Sequence, residues 1–284
     1  MIRRLRGRTA SLLVRTLGFL TRWPRLAFAI ADTLAAATTL VRRGPHHDAL
    51  RTLFPDLPAA GFAAAIRRIR VNQVRRLLLH GWAERAGVAA LQPLVRTNDT
   101  VPRLQPPLIL ATFHVGPLLA LTAFAERLDG EVLALRSQTI GSGRAAHVSV
   151  GAELESEQQR SAAFLQALAR LRRGGFVFMA VDPLQQSGLE VPFLGRTLRL
   201  ARGAFALSRM TGVPIVPVVA GWNGDEVEVE TGEALHGDDE RTLAAAAAQW
   251  LERYLTQAPG ELSHQLLALM EDDGKPQAGG PGPH

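Results

Sequence analysis

The chain has 284 residues, of which 47% are hydrophobic and 20% charged, a composition typical of a folded globular protein and not of a disordered one. Because it contains no cysteine, disulfide scaffolds, thiolate metal sites and cysteine nucleophiles are excluded. The charge is divided unevenly: residues 1–76 carry 15 Arg against three Asp, a net of +12, whereas the remainder carries 17 basic and 23 acidic residues, a net of −6. Such a basic arm fits an anionic lipid surface or a nucleic acid.

The first 31 residues contain seven Arg and no acidic residue, interleaved with Leu, Phe and Trp23. This pattern predicts an amphipathic segment that lies on an anionic membrane surface, and we assign residues 1–57 to it. Asp32 interrupts the apolar stretch that follows, which argues against a membrane-spanning helix. The alternative is a helix that packs on the protein body with its Arg side chains in water.

A helical pattern follows Pro58 and runs to about Arg85. The next stretch, residues 86–107, contains four prolines, which predicts a connection with one short strand.

From residue 108 onward, short apolar runs alternate with helical patterns. We predict strands at 108–113, 131–135, 147–150, 176–181 and 213–220, an edge strand at 226–230, and helices at 117–127, 157–173, 200–210, 240–257 and 262–271. This alternation predicts an α/β domain at residues 58–271, with a mostly parallel central sheet flanked by helices. The Gly- and Pro-rich stretch 272–284 is predicted to be a disordered tail.

Two polar residues directly follow buried strands: His114 follows 108–113, and Asp182 follows 176–181. In a parallel sheet both would emerge on the same rim, where α/β proteins place their ligands. Gly116 and Pro117 then begin a helix, so we expect free backbone N–H groups near His114 that could receive an oxyanion or a phosphate. For each polar residue a structural role is the alternative: a hydrogen-bonded His114, and an Asp182 that caps a loop.

No Gly-x-Ser-x-Gly elbow, phosphate-binding loop or zinc spacing occurs in the chain. Covalent catalysis is therefore not expected. If His114 acts, it acts most simply as a general base toward a hydroxyl or amine.

Several motifs, in order along residues 67–265, resemble one known family. The segment FHVGPLL at 113–119 resembles the His-containing first block of the lysophospholipid acyltransferase superfamily, particularly its late lipid A (lauroyl/myristoyl) acyltransferase branch. VPFLGR at 191–196 and RGAFALS at 202–208 look like a later segment of that branch, and TGVPIVPV at 211–218 is similar to the fourth block of the superfamily.

The resemblance implies a peripheral membrane enzyme on the cytoplasmic face of the inner membrane. It would move a fatty acyl group from a thioester of acyl carrier protein or coenzyme A to a hydroxyl or amine of a lipid or glycolipid acceptor. No cofactor or metal ion is implied, and a nucleic-acid partner is not expected because no stacking aromatics accompany the Arg clusters.

One position departs from the family pattern of His, four residues, then Asp or Glu, because Leu119 occupies the acidic position. Three explanations are open: Asp182 or another carboxylate substitutes, His114 acts alone, or the protein is a catalytically inactive lipid-binding relative. We rank Asp182 first.

In addition to His114 and Asp182, we expect seven substrate-binding residues: Gly116, Pro117, Phe193, Gly195, Arg196, Arg199 and Arg202. The three Arg side chains suit a phosphate of phosphopantetheine, coenzyme A or a lipid headgroup, although they could equally form a solvated basic face. Phe193 is expected in an acyl groove or in the core.

Overall fold

A seven-stranded sheet forms the centre of the computed structural model, which describes residues 24–39, 46–97, 104–136, 146–149, 157–182, 188–263 and 266. Its strands are β1 (Val95–Thr97), β2 (Leu108–Thr112), β3 (Val132–Arg136), β4 (Ala146–Ser149), β5 (Phe176–Ala180), β8 (Ile215–Asn223) and β9 (Glu226–Thr231). The order across the sheet is β1-β9-β8-β2-β5-β3-β4. Strands β8, β2, β5, β3 and β4 run parallel, whereas β9 is antiparallel to β8. The predicted α/β class with a mainly parallel sheet is confirmed.

Seven helices are described, with bounds α1 (Pro24–Thr39), α2 (His46–Leu53), α3 (Ala59–Ala86), α4 (Leu118–Ala125), α5 (Glu157–Arg172), α6 (Gly203–Thr211) and α7 (Glu240–Gln257). Short 3₁₀ turns occupy Val88–Leu94 and Pro259–Glu261. The predicted helices at 58–85, 157–173 and 240–257 and the short strand within 86–107 match α3, α5, α7 and β1 closely.

Both faces of the sheet are buried, which explains why its strands are near-continuous apolar runs. Along β2, Ile109 and Ala111 point into one core with α5, α6 and α7, which we call the α7-side core. Leu108 and Leu110 point into the opposite core with α1 and α4, the α4-side core. The alternation follows from the two-residue period of a strand.

Helix α3 is 28 residues long, about 42 Å at about 1.5 Å per residue, and it contributes to both cores. Its first half places Ile69 in the α7-side core, and its second half places Leu78 in the α4-side core. Next to Ile69, Arg68 donates a hydrogen bond to the carbonyl of Trp222, at the carboxyl end of β8. The middle of α3 therefore lies across the rim where the parallel strands end.

Two predictions in the second half of the chain were wrong. The helix predicted from residue 200 begins at Gly203, because Leu189–Phe193 (β6) and Arg196–Leu200 (β7) form an antiparallel hairpin that was not predicted. The stretch 226–230 is β9, but it is not an edge strand of the described sheet, since β1 pairs with its free side. Its alternating Glu residues lie on the solvent-exposed face of the strand, and they do not indicate an unpaired edge.

Helix α1 covers the end of the predicted basic segment, and it packs on the protein body. The Phe28 ring lies 5.3 Å from the Trp82 ring and 5.2 Å from the Trp222 ring, centroid to centroid, and it is fully buried. The guanidinium of Arg75 lies 4.9 Å from the centre of the same ring. The part of the basic segment that α1 covers therefore packs on the protein body, as the alternative interpretation of this segment expected.

None of the described helices has the length and apolar character needed to cross a bilayer. Residues 1–23, the tail at 272–284 and all but three residues of the predicted helix at 262–271 lie outside the described residues. Membrane association of residues 1–57, the division into domains and the disorder of the tail stay predictions.

We expect Phe28→Ala to lower the free energy of unfolding by about 3–5 kcal/mol, because it removes a ring enclosed by two tryptophans. Leu26→Ala, in the same helix turn but half exposed, should change it by less than about 0.5 kcal/mol. Urea unfolding of both variants in detergent-free buffer provides the measurement. Equal stability of the two variants would show that α1 is not docked on the body.

Candidate functional site

The register of β2 and β5 brings His114 and Asp182 together. Thr112 pairs with Ala180 in the last register position of these parallel strands, and the N–H of Val181 donates to the carbonyl of Thr112 at 2.9 Å. His114 and Asp182 each follow two residues after that pair. They therefore emerge side by side at the carboxyl rim, as the sequence predicted.

The carboxylate of Asp182 binds His114 through both of its oxygens. Oδ1 lies 2.9 Å from the ring Nδ1, and Oδ2 accepts the backbone N–H of His114 at 2.7 Å. An ionised carboxylate only accepts hydrogen bonds, so Nδ1 must carry the ring proton. Nε2 is left with a lone pair, which is the arrangement a general base requires.

Burial and charge act in opposite directions on His114. Its side chain is 19% exposed and that of Asp182 is fully buried. Burial alone would lower the pKa of His114, and so does the positive charge of Arg76, but the hydrogen bonds and charge of Asp182 outweigh both and raise that pKa above its ordinary 6.5. Through linkage, the pair adds stability below about pH 6.5, and this contribution is lost as pH rises through the raised pKa.

Gly116 forms the sharp turn between His114 and α4. Its φ is +57°, and a Cβ added there would lie 1.8 Å from the carbonyl oxygen of Ala220. Its N–H donates to the carbonyl of Glu261 at 3.1 Å. Only glycine fits this crossing of the β8 backbone.

The expected free N–H groups after His114 are not free. Val115 donates to Phe113 at 2.7 Å, Gly116 to Glu261, and Leu118 to Gly116 at 3.1 Å, while Pro117 has no N–H. The tight turn itself uses the N–H groups of Val115, Gly116 and Leu118, and substrate binding at Gly116 and Pro117 stays a prediction.

Leu119, at the acidic position of the resembled motif, is buried in the α4-side core. Its helix contains no acidic residue in its first turn. The carboxylate that reaches His114 comes from the neighbouring strand instead, which agrees with the first of the three explanations for Leu119.

The three candidate Arg residues do not converge on one site. Arg196 and Arg199 are three residues apart on β7 and so point to opposite faces of the hairpin. Arg199 bonds Glu190 across the hairpin at 2.7 Å, and Arg202 bonds the buried Glu240 at 2.9 Å. The sequence placed them around the start of a helix; the hairpin separates them.

Phe193 and Gly195 are also displaced from His114. Phe193 is buried in the α7-side core, and Gly195, with φ of +72°, forms the hairpin turn with Leu194. The base of the hairpin lies near Asp182, because Ala201 donates to the carbonyl of Val181 at 2.7 Å. At about 3.3 Å per residue, the turn is roughly 20 Å away from that base. Phe193 thus lies in the core, one of the two places expected for it, and substrate binding by Gly195 stays a prediction.

Two charged residues near the site escaped the sequence analysis: Arg76 on α3 and Glu261 in the last 3₁₀ turn. Glu261 is 5% exposed, and burial raises the pKa of its carboxyl against the opposing effect of Arg68. Its Oε2 has no hydrogen-bond partner among the described residues and would lie 3.3 Å from a Cβ at position 116. Neither residue belongs to a local motif, so only the folded contacts reveal them.

A cleft of about 950 Å³ lies beside this turn, lined by residues of α3, the end of β8 and the segment after α7. The carboxylate of Glu261 lines it, whereas His114 does not. Among the described residues no cluster of three or more His, Asp or Glu side chains is arranged to hold a metal ion.

Residues 152–263 match the family model of the bacterial lipid A biosynthesis acyltransferases. The match supports an acyltransferase role. It includes Asp182 and the β6–β7 hairpin, and it begins after His114, so the resemblance of the first block stays a prediction. No curated protein sequence matches the chain.

Asp182→Asn should lower the pKa of His114 below 6.5, because the effects of burial and of Arg76 then stand unopposed. The asparagine offers one acceptor and one donor to two N–H groups. If its oxygen keeps the backbone N–H, its NH₂ forces the ring proton onto Nε2. An NMR pH titration of the His114 ring reports both the pKa and the tautomer. An unchanged titration would show that the pair is not formed in solution.

Gly116→Ala should destabilise the protein by about 1–3 kcal/mol more than Gly212→Ala. Both glycines have positive φ, so each alanine costs about 1–2 kcal/mol of backbone strain. Only position 116 adds a collision with a carbonyl oxygen, since nothing lies within 4 Å of a Cβ at 212. Denaturant midpoints of the two variants test this, and equal losses would contradict the crossing.

Proposed function

We propose that the protein is a peripheral membrane acyltransferase in which His114 is the general base and Asp182 its positioning residue. The observation that carries the proposal is the pair of hydrogen bonds that the Asp182 carboxylate accepts from His114. These bonds fix the imidazole with Nε2 as the basic nitrogen. The family match at 152–263 supports acyl transfer as the reaction class.

In the proposed reaction, Nε2 takes the proton from a hydroxyl or amine of the acceptor as that atom attacks the thioester carbonyl carbon. The tetrahedral intermediate collapses with cleavage of the carbon–sulfur bond, and the imidazolium returns the proton to the departing thiolate. The products are an ester or amide and a free thiol. General base catalysis of this kind contributes roughly 10²- to 10⁴-fold.

The buried negative charge of Asp182 suits this cycle because the imidazole becomes positive during it. The carboxylate stabilises that cation and prevents the ring from turning. Asp182 therefore supplies what an acid at position 119 would supply in the resembled pattern. The Leu119 substitution alone then does not require an inactive protein.

The donor is proposed to be a thioester of acyl carrier protein or coenzyme A, and the acceptor a lipid or glycolipid. The proposed location is the cytoplasmic face of the inner membrane, where both would be available. The basic residues before α1 support contact with anionic headgroups.

Incubation with labelled acyl-carrier-protein and acyl-CoA donors plus membrane extract should give a labelled lipid. His114→Ala should lower the rate at least about 10²-fold, and Asp182→Asn should lower it by up to about 10⁴-fold through the wrong tautomer. His236→Ala, at an exposed histidine between β9 and α7, is the matched control and should retain full activity.

The pH dependence supplies a second measurement. Because Nε2 must be unprotonated, kcat/KM should rise with pH through an apparent pKa above 6.5. Equal product from wild type and His114→Ala would exclude the base. Absence of product from wild type, with lipid binding retained, would favour the inactive lipid-binding relative.

A further inference from the structure

The middle of α3 presents one face to the turn that follows His114. Arg68, Asn72 and Arg76 are spaced by four residues and so share that face. Arg68 Nε lies 3.4 Å from Oε1 of Glu261, and Asn72 donates to the carbonyl of Gly260 at 3.0 Å.

The 3₁₀ turn Pro259–Glu261 also binds the turn that follows His114. The carbonyl of Glu261 accepts the N–H of Gly116, two residues after His114. Arg76 lies one helical turn beyond Asn72 on this face, and its charge acts on both Glu261 and His114.

Arg76 differs from its neighbours in having little to bind. Its Nε donates to the carbonyl of Asn72 at 3.3 Å, and among the described residues neither Nη has a hydrogen-bond partner and no carboxylate lies within 4 Å. Arg75, the preceding residue, forms ion pairs with both Asp32 and Asp225.

Arg76 is nevertheless half-buried. Burial lowers the pKa of its guanidinium, an effect that the negative charge of Glu261 only partly offsets. Its positive charge also reaches His114, whose pKa it lowers. The two Nη groups of Arg76 are not among the buried atoms without a partner, so they reach solvent and can exchange water for the oxygens of an anion.

We propose that Arg76 binds a phosphate group of a substrate next to His114. This inference rests on the proposed function. The planar guanidinium can donate two parallel hydrogen bonds to phosphate oxygens. The arginines named from the sequence for this task, Arg199 and Arg202, already bind Glu190 and Glu240. The phosphate belongs either to the phosphopantetheine arm of the donor or to the headgroup of a lipid acceptor.

Phosphate binding at Arg76 also makes His114 a stronger base. The anion cancels the positive charge that lowers the pKa of His114, so this pKa rises when the substrate is bound. The charged groups that act on the ring are Asp182 from the end of β5 and Arg76 from α3. The apparent pKa from kcat should therefore exceed that from kcat/KM.

The test compares Arg76→Gln, Arg76→Lys and Arg67→Gln in the full chain. Arg67 is nine residues earlier on α3, and it is exposed on the opposite face, so it is a control with the same loss of charge. Binding is measured without turnover, by calorimetry with coenzyme A and by co-sedimentation with vesicles of phosphatidylcholine containing 0 or roughly 20% phosphatidic acid.

Arg76→Gln should weaken binding of one probe by roughly tenfold to a hundredfold, as expected for a lost charge-assisted pair. Loss of coenzyme A binding assigns the phosphate to the donor, and loss of the phosphatidic acid dependence assigns it to the lipid. Arg67→Gln should bind as wild type does. Arg76→Lys should lose less, because it keeps the charge without the paired donors.

The His114 titration gives a readout that a structural role of Arg76 would not produce. Arg76→Gln should raise the pKa of His114 in the free protein, whereas Arg76→Lys should leave it nearly unchanged. Unchanged binding of both probes, or equal losses in Arg76→Gln and Arg67→Gln, would overturn the proposal. If Arg76→Gln does not fold, Arg76→Lys decides: wild-type binding of both probes overturns the site.

The two proposals fail separately. Lost phosphate binding in Arg76→Gln together with no acyl transfer by wild type would keep the phosphate site and reject the enzyme. Acyl transfer with an unchanged KM in Arg76→Gln would keep the enzyme and reject the site.

Discussion

The hydrogen bonds of one carboxylate hold the candidate site together. Asp182 is fully buried, and a charge in that position is tolerated because each oxygen accepts an N–H from the same residue, His114. The bond to the backbone fixes the chain at the end of β2, and the bond to Nδ1 fixes the ring and its tautomer. Both depend on the β2–β5 register, since a shift by one residue would turn one side chain to the opposite face of the sheet.

The same register explains how position 119 can be leucine. Helix α4 is almost entirely buried between the sheet, the 3₁₀ turn Val88–Leu94 and α3, with Phe124 and Leu121 fully inaccessible. An acid at Leu119 would enter this apolar core, where a charge is costly. With the carboxylate supplied from the end of β5, the helix carries no charge, and the charge lies at the rim, next to His114.

The sequence predicted those features that depend on local pattern and sheet topology. Residues 108–113 and 176–181 are apolar runs followed by one polar residue, so the proximity of His114 and Asp182 follows from parallel pairing alone. The hairpin was missed although Leu189, Val191 and Phe193 alternate with exposed positions, because Pro192 and the Leu194–Gly195 turn interrupt the usual strand pattern. Its omission explains why Arg196, Arg199 and Arg202 were expected together around the start of a helix, when Arg196 and Arg199 lie on the hairpin strand before it.

Contacts between distant segments were beyond sequence reasoning. Arg76 and Glu261 are separated from His114 by 38 and 147 positions, and neither belongs to a recognisable motif. The N–H of Gly116 looked free because its acceptor, the carbonyl of Glu261, lies far along the chain. Backbone donors at a helix start are available to ligands only when tertiary contacts have not already used them.

Some arginines of the N-terminal part bind other groups of the protein, and a count of arginines does not distinguish them from the exposed ones. Arg75 is 5% exposed and binds Asp32, Asp225 and the faces of Phe28 and Trp222. Arg68 is engaged with Glu261 and Trp222 in the same way. Arg75 fastens α3 to α1 and is too buried to face lipid headgroups, and the side chain of Arg68, although 40% exposed, is tied to the sheet by these bonds. The net charge of +12 in residues 1–76 therefore overstates the charge available to a membrane, and any such contact must rely on the arginines that precede α1 and on exposed ones such as Arg25.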